Sequence, residues 1–426
     1  MLQCSVILDG VAQLCVAAHN NLIMAITTDS LKSVSTGRMA RLRLLLVLSV
    51  LMAFGSISTD MYLPSLPSLA KVFHVGQAQV QLTLSLYLVG FGVGQLVWGP
   101  LGDRYGRKWV LVTGIMFHLA GSCACALAGS IDQMIGWRFV QALGSCAGPV
   151  LARAMVRDSY DRTRSAQMLS VLMLVMGVAP LAGPILGGEV LLVGSWRTIF
   201  WFQFGFGLLA LGGMALIPET LPTHMRSSQR IWHALFNYAE LLMNRRFLGY
   251  ALIGACFYGG VFAQLAGTPF AYIEYYHVPA QLYGFLFALS ITGMMAANLI
   301  NSRLVVKLSS DLLLLVGTSI AAVAGTVLAI DGWTGFGGLW GIVLPVLSFV
   351  AMLGFITANA MAGALASFPH RAGTASALSG GMQFGFGAVF AAAVGWFADG
   401  TPWPMAWIMA LAGGTALLAA LLLVRR

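Results

Sequence analysis

Long apolar runs alternate with short polar breaks along almost the whole chain. Twelve such runs stand out, at about 44–66, 79–101, 109–129, 131–153, 166–192 and 199–217, then at 247–270, 281–302, 311–330, 336–362, 373–398 and 403–424. Each is long enough to cross a hydrocarbon core of about 30 Å as a helix. The first reads LLLVLSVLMAFGSISTDMYLPSLP from Leu44 to Pro67, and one carboxylate, Asp60, interrupts it. Helical spacing puts Ser49, Met52, Ala53, Ser56, Asp60 and Pro64 on one face, while Leu and Val fill much of the rest. A charge at mid-bilayer costs about 2.5–3.5 kcal/mol even on a lenient insertion scale, so that face is expected to look into a polar cavity.

A longer polar link at about 218–246, with Pro218, Pro222, Ser227 and Ser228, separates the sixth and seventh runs. Residues 1–43 form a leader whose apolar patch is broken by Asp9, His19, Asn20 and Asn21. It is too polar to span and lacks a signal peptide's basic start and small-residue cleavage site. The stretch reads as a mobile tail or as a mis-called start, with Met39 the true one. The predicted units are therefore a leader at 1–43, six helices over 44–217, a linker at 218–246 and six helices over 247–426.

Composition settles the class. Hydrophobic residues are 59% of the chain and charged ones 9%, against about 25% charged in ordinary soluble domains. The sequence is that of an all-α integral membrane protein whose immediate partner is the lipid bilayer. The net charge of +9 would suggest nucleic acid, but its distribution excludes that partner. Of 23 basic residues, 20 fall on one side of the predicted spans, leaving Lys71 and Arg197 opposite and Arg138 within a span. By the positive-inside rule both termini face the cytoplasm. The six cysteines lie in the leader or in apolar spans, with Cys123 and Cys125 on different sides of one helix, so neither a metal nor a disulfide is expected. No cofactor is implied.

The two halves read as weak copies. Gln95–Gly114 aligns without gaps on Asn298–Gly317, and Arg162–Met173 on Arg371–Met382. Both offsets are near half the chain and preserve orientation, the pattern of parallel six-helix repeats with a substrate site between halves near the midplane.

Three stretches carry candidate mechanism. The loop between the second and third spans reads Gly99-Pro100-Leu101-Gly102-Asp103-Arg104-Tyr105-Gly106-Arg107-Lys108, with glycines for a tight reversal and mixed charges that can pair with helix ends. In the fourth span Arg138, Gln141, Ser145, Gly148, Pro149 and Ala152 share a polar, small-residue face. Arg138 and Asp60 each lie roughly 10 Å below the ends of their helices, at 1.5 Å rise per residue, so the two could sense each other, either as a coupling pair or as a structural ion pair. In the fifth span Gly177 to Gly188 includes Pro180, Gly183, Pro184, Gly187 and Gly188, predicting a bent, tightly packed helix. Glu189 beyond it reads as a solvated rim residue.

The loop Gly99–Lys108 resembles the loop signature of the major facilitator superfamily, which implies the major facilitator fold of two six-helix bundles. The resemblance assigns Gly99, Gly102, Asp103, Arg104, Gly106, Arg107 and Lys108 to a conformational latch. Asp103 would rest near Gly373 and Thr374 in one state and release them in the other. The copy in the second half has Val306 opposite Asp103, so the latch is asymmetric. The fifth-span run resembles the element associated with drug/proton antiporters, with Ala179 where that pattern opens on glycine. The phrases SISTDMYLPSLP, MVRDSY, TPFAYIEYYHV, ANAMA and FPHRAGTASAL resemble the Bcr/CflA branch, the bicyclomycin-resistance proteins.

That resemblance implies export of small, diverse drugs, such as bicyclomycin-like antibiotics or sulfonamides, across a bacterial inner membrane in exchange for protons. Asp60 and Arg138 are the expected proton-coupling residues, in a chain expected to act as a monomer. Tyr62, Gln141, Tyr258, Gln264, Tyr272, Asn298, Asn359 and Gln383 are candidate cavity residues, each of which could instead be interhelical glue. A proton symporter or facilitator for a small metabolite is the alternative within transport. A membrane-embedded enzyme is disfavoured, because His19, His74, His118, His224, His233, His277 and His370 are scattered and build no catalytic cluster. A receptor would add a soluble output domain, and none is visible in the pattern.

Overall fold

A computed structural model describes residues 35–227, 238–366, 368 and 372–424. Twelve helices among them are long and apolar enough to cross a membrane. They are named here α1 (Leu42–Phe73), α2 (Gln77–Tyr105), α3 (Arg107–Leu127), α4 (Ile131–Ser159), α5 (Gln167–Val193), α6 (Trp196–Ala215), α7 (Arg245–Tyr275), α8 (Ala280–Leu304), α9 (Ser310–Thr334), α10 (Gly338–Ala366), α11 (Ala372–Trp396) and α12 (Trp403–Leu423). Helices satisfy every backbone donor locally, which is why apolar runs of this length adopt them in hydrocarbon. Most of the leader, residues 228–237 of the linker and Arg371 lie outside the described residues.

The ends of the helices follow local chemistry. Ser130, Asp161, Asn244 and Ser309 cap the first turns of their helices by accepting a backbone N–H. Gly106, at φ +99°, makes the reversal from α2 into α3, in a region of backbone space that favours glycine. α5 continues through Pro180 and Pro184 as a single helix. α10 is instead interrupted at Met352, between helical segments Gly338–Ala351 and Leu353–Ala366.

Packing follows a repeat. Within the first half α4 packs on α1, α2 and α3, and α3 on α6; within the second, α10 packs on α7, α8 and α9, and α9 on α12. Between halves the principal contacts are α5 with α8 and α2 with α11. Replacing each helix of the first pair by its counterpart in the other half, α5 by α11 and α8 by α2, generates the second, as a parallel repeat with a pseudo-twofold axis requires. We call the side bearing Arg104, Arg107, Lys108, Arg303 and Lys307 the basic face, and the other the opposite face. On the opposite face the halves are held together. Gln81 Nε2 donates across the junction to the Ala266 carbonyl at 3.1 Å. The short segment Leu63–Ser65 lies against α7 and α8.

Candidate functional site

Asp60 occupies a discontinuity. The first helical stretch of α1 ends at Asp60, a turn follows, Leu63–Ser65 forms a 3-10 segment, and α-helix resumes at Leu66–Phe73. Pro64 is the local cause, because it has no N–H to return to the Asp60 carbonyl. The Asp60 side chain is 6% exposed, and Ser56, one turn earlier, hydrogen-bonds its carboxyl. Among the described residues no Lys, Arg or His comes within ion-pair distance of it. α5 approaches this break through its glycines. A β-carbon on Gly183 would sit 2.9 Å from that of Asp60, and one on Gly187 would overlap the Met61 carbonyl oxygen. Gly188 packs on Ala280 and Gln281 of α8, whose Gly284 in turn packs on Pro184 and Ile185. Tyr283 of α8 is within electrostatic reach of Asp60. The acid therefore lies where α1, α5 and α8 meet, at the junction of the two halves.

Arg138 has found other company. It is fully buried, and its Nη1 donates to the Ser58 carbonyl at 2.9 Å and to Gln141 Oε1 at 2.6 Å. Its guanidinium carbon lies 4.5 Å from the ring centroid of Tyr62, 4.2 Å from that of Tyr87 and 5.8 Å from that of Phe200. Desolvated cation–π contacts of this kind are worth about 2 kcal/mol. The direct ion pair with Asp60 considered from sequence is not formed. Depth along the helix allowed it, but Arg138 Nη1 turns to a carbonyl two residues earlier on α1, and among the described residues Nε and Nη2 have no hydrogen-bond partner beside the aromatic rings.

Around this arginine runs a polar network that sequence spacing did not reveal. Gln141 Nε2 donates to Ser122 Oγ at 2.8 Å and to Gln203 Oε1 at 2.7 Å. Gln203 Nε2 donates to the Ile57 carbonyl at 3.2 Å. His118 joins Ser145 Oγ at 3.0 Å and the Gln203 carbonyl at 3.2 Å, with its ring stacked on Phe54. Such a network satisfies buried amide and hydroxyl groups that would otherwise be expensive, while Arg138 Nε and Nη2 are left without a hydrogen-bond partner among the described residues. It fixes α1, α3, α4 and α6 around the carbonyls that precede the break.

The candidate cavity residues divide. Tyr62 is buried in the arginine cage, its hydroxyl 2.6 Å from Thr83 Oγ1, and Gln141 is committed to the network. Asn359 is interhelical glue, donating from Nδ2 to Asn301 Oδ1 at 2.8 Å and to the Phe355 carbonyl. Asn298 is exposed at the crossing with Gly354 of α10. Tyr272 is buried beside Tyr283, their centroids 6.1 Å apart. Tyr258, Gln264 and Gln383 lie on α7 and α11, with Gln383 against Gly254. What joins the halves at this depth is an aromatic column. Tyr87 leads to Phe91 at 6.2 Å, then to Phe384 at 4.4 Å, Phe262 at 5.2 Å and Tyr258 at 5.9 Å. Of these only Tyr258 was singled out from sequence, since phenylalanines in an apolar span carry no distinguishing signal. A cavity of about 510 Å³ between α9 and α10, lined by Ser319, Val323, Leu344 and Ser348 among others, is remote from all of this chemistry.

At the basic face the loop Gly99–Lys108 is tied to its own half. Asp103 pairs with Arg107 Nη1 at 2.7 Å, and Arg107 Nε with Asp158 at 2.9 Å. Gly102 packs on Leu151, while Gly99 has open space. Arg104 lies over the Tyr105 ring at 5.4 Å. The expected rest of Asp103 against Gly373 and Thr374 is not made in this conformation, and Gly373 also faces open space. Glu219, which the sequence reading missed, organises the loop instead. Its carboxylate accepts from the backbone N–H groups of Arg107 at 2.9 Å and Lys108 at 3.1 Å, at the start of α3, and from those of Thr220 and Leu221. Lys108 Nζ closes the arrangement on the Ile217 carbonyl at 2.7 Å. Partial burial pushes the Glu219 carboxyl up, but the four backbone donors outweigh it and hold the group below its ordinary range. A carboxylate directly after a proline, ahead of a polar link, was the available signal.

Comparison with known proteins agrees with this geometry. The family model of the Major Facilitator Superfamily matches residues 46–392. A bicyclomycin resistance protein homolog of Haemophilus influenzae is 33% identical over 364 residues, covering 85% of this chain and 90% of the relative. A chloramphenicol resistance protein of Pseudomonas aeruginosa is 31% identical, covering 82% of each. Among solved structures, the partially occluded inward-open xylose transporter XylE of Escherichia coli superimposes with a TM-score of 0.71 at 15% identity, over 90% of this chain and 97% of that one, a likeness of fold. The helical repeat, the loop signature and these relatives lead to one assignment: the chain is a membrane transporter of the major facilitator superfamily, in the branch of the bicyclomycin-resistance proteins.

Proposed function

We propose that this transporter exports small-molecule drugs in exchange for protons, by alternating access between its two six-helix halves. The basic face is assigned to the cytoplasm of a bacterial inner membrane, following the excess of Lys and Arg there. The observation that carries the reading is Asp60: a buried carboxylate with no basic partner among the described residues, at a helix break, packed on the glycines of α5 where the halves join. An intramembrane acid placed at a moving junction can exchange its proton with one side at a time. Protonation from outside neutralises Asp60 and disfavours drug retention; deprotonation toward the cytoplasm restores the drug-binding form. Inward proton movement supplies about 2.3 kcal/mol per charge per 100 mV, plus the pH gradient. The aromatic column from Tyr87 to Tyr258 is packed between the halves here, and on their parting it would offer flat apolar surface suited to drugs that share little beyond hydrophobicity. Resistance to bicyclomycin and chloramphenicol in the names of the relatives supports efflux as its direction.

The test is drug-induced proton release from proteoliposomes carrying Asp60→Asn. The variant is expected to insert and bind drug while losing proton release and pH-driven efflux. Proton release equal to wild type would remove Asp60 from the mechanism. The sense of drug movement against an imposed pH gradient separates antiport from symport.

A further inference from the structure

At the opposite face of the second half, a cavity of about 270 Å³ is lined by Tyr275, Tyr276, Asp331, Trp333, Asp399 and Trp403 among others. Aromatic rings make part of its wall: Trp333 and Trp403 meet edge to face at 5.1 Å, and Tyr275 and Tyr276 at 4.9 Å. Its charge has one sign. Asp331 stands in the last turn of α9, and Asp399 lies three residues beyond the end of α11. Asp399 follows a helix C-terminus, whose free carbonyls add partial negative charge, while the Asp331 carboxyl packs against Gly337 and Gly341 at the start of α10. Asp399 Oδ1 is taken by the backbone N–H and hydroxyl of Thr401, while Asp331 has no ion-pair partner among the described residues. No Lys or Arg lines the cavity. The field of Asp331 reaches Tyr276, whose phenol is raised by burial first, then by Tyr275 and Asp331.

We infer that this cavity is a binding site for an organic ammonium ion, held between the two carboxylates and the faces of the tryptophans and tyrosines. The combination selects the class. Aromatic faces attract a bulky, weakly hydrated cation, whereas a hard metal ion would need six or more converging oxygen ligands, and no metal-binding group is found among the described residues. Drug pockets run from about 300 Å³ upward, so the volume suits a small ammonium rather than a whole drug molecule. The ammonium could come from solution or from the headgroup of a neighbouring phosphatidylethanolamine. The site is separate from Asp60 and does not depend on the efflux reading.

The experiment measures binding of tetraethylammonium to the full-length protein in phosphatidylglycerol nanodiscs, by calorimetry at constant ionic strength with sodium as the reference cation. Tetraethylammonium is expected to bind and sodium not to compete. Asp331→Asn and Trp403→Ala are each expected to weaken it by about 2- to 30-fold, the span that one desolvated charge or cation–π contact commands. Asp399→Asn, at an exposed position, provides the same test should either of those fail to fold. Tetraethylammonium binding no tighter than sodium, or equal in all folded variants, overturns the site. Repeating the titration with phosphatidylethanolamine in the nanodisc identifies the source. Weaker apparent binding there makes the lipid amine the resident ligand, and unchanged binding makes it a free cation; both support an ammonium site.

Discussion

The junction of α5 and α8 makes a quantitative prediction, because two glycines on one helix stand in opposite circumstances. A β-carbon on Gly284 would lie 2.8 Å from the backbone N and Cα of Ile185, atoms that cannot step aside. On Gly293, further along α8, the nearest atom would be a Leu347 side-chain carbon at 3.4 Å, an ordinary contact. Both changes to alanine carry the same gain in helix propensity, about 0.8–1.0 kcal/mol. Gly284→Ala must in addition part α5 from α8, and overpacking of this kind costs about 1–3 kcal/mol. That cost falls only on conformations in which the opposite face is closed. The equilibrium between closed and open opposite face is therefore expected to shift by about 5- to 150-fold toward open. Spin labels at Leu192→Cys and Leu282→Cys, both exposed beside the junction, would report it as a longer distance population in a background lacking the six native cysteines. Gly293→Ala is expected to leave the distribution unchanged. Equal distributions for the two variants would refute the claim that backbone contact at Gly284 holds this face shut.

Two further predictions concern the charged groups. Glu219→Gln trades charge-assisted bonds at the start of α3 for neutral ones and is expected to cost about 1–2 kcal/mol, read as a lower Tm. Because the Glu219 carboxyl is held below its ordinary value, its contribution is complete at neutral pH. It is lost as pH falls below about 4.3 and through the lowered value, so the wild-type margin over Glu219→Gln should vanish in acid. A margin that persisted at acid pH would exclude the backbone cap as its cause. Arg138→Lys keeps the charge but loses the planar stacking on Tyr62 and Tyr87, and is expected to destabilise the protein by about 2 kcal/mol in SDS-titration unfolding; no loss would mean the cage is not energetically coupled to the arginine.

Much of the architecture was legible because the bilayer imposes a coarse rule. Twelve apolar runs gave twelve helices, with ends displaced by only a few residues for most spans, since polar breaks and proline sit where hydrocarbon ends. α1 departs furthest, continuing to Phe73 because Pro64 interrupts it without ending it. Of the candidate site, sequence singled out the groups whose chemistry is rare in a membrane, Asp60 and Arg138, and the recurring glycines Gly183, Gly187 and Gly188, all of which lie at or beside the α1 break. The site was not legible where partners are chosen by rotation about helix axes. Depth placed Arg138 near Asp60, yet the turn of α4 gives its guanidinium to the Ser58 carbonyl. Asn359 looked like a cavity amide, but the crossing of α8 and α10 brings Asn301 to it. His118 was one of several scattered histidines until α3, α4 and α6 closed around it.

The separation of the two buried charges bears on how coupling could work. An ion pair would bind Asp60 and Arg138 into one unit and tie protonation of the acid to loss of the arginine's partner. Here the two are held separately, Arg138 Nη1 by the Ser58 carbonyl and Gln141 Oε1 with its remaining nitrogens beside the rings, and the acid by Ser56. The link between them is the α1 backbone, for Arg138 and Gln203 hold the Ser58 and Ile57 carbonyls immediately before the break that carries Asp60. One side of the break is thus anchored to α4 and α6, and the other abuts α5 and α8. On the proposed mechanism, a change in the charge of Asp60 would act on the unanchored side, against the glycines of α5, where a displacement of the chain would change the fit between halves. Coupling through that fit requires the arginine to be a fixed point and not a proton partner. On this reading Arg138→Lys should impair transport in proportion to its loss of stability, while Asp60→Asn should abolish coupling without one.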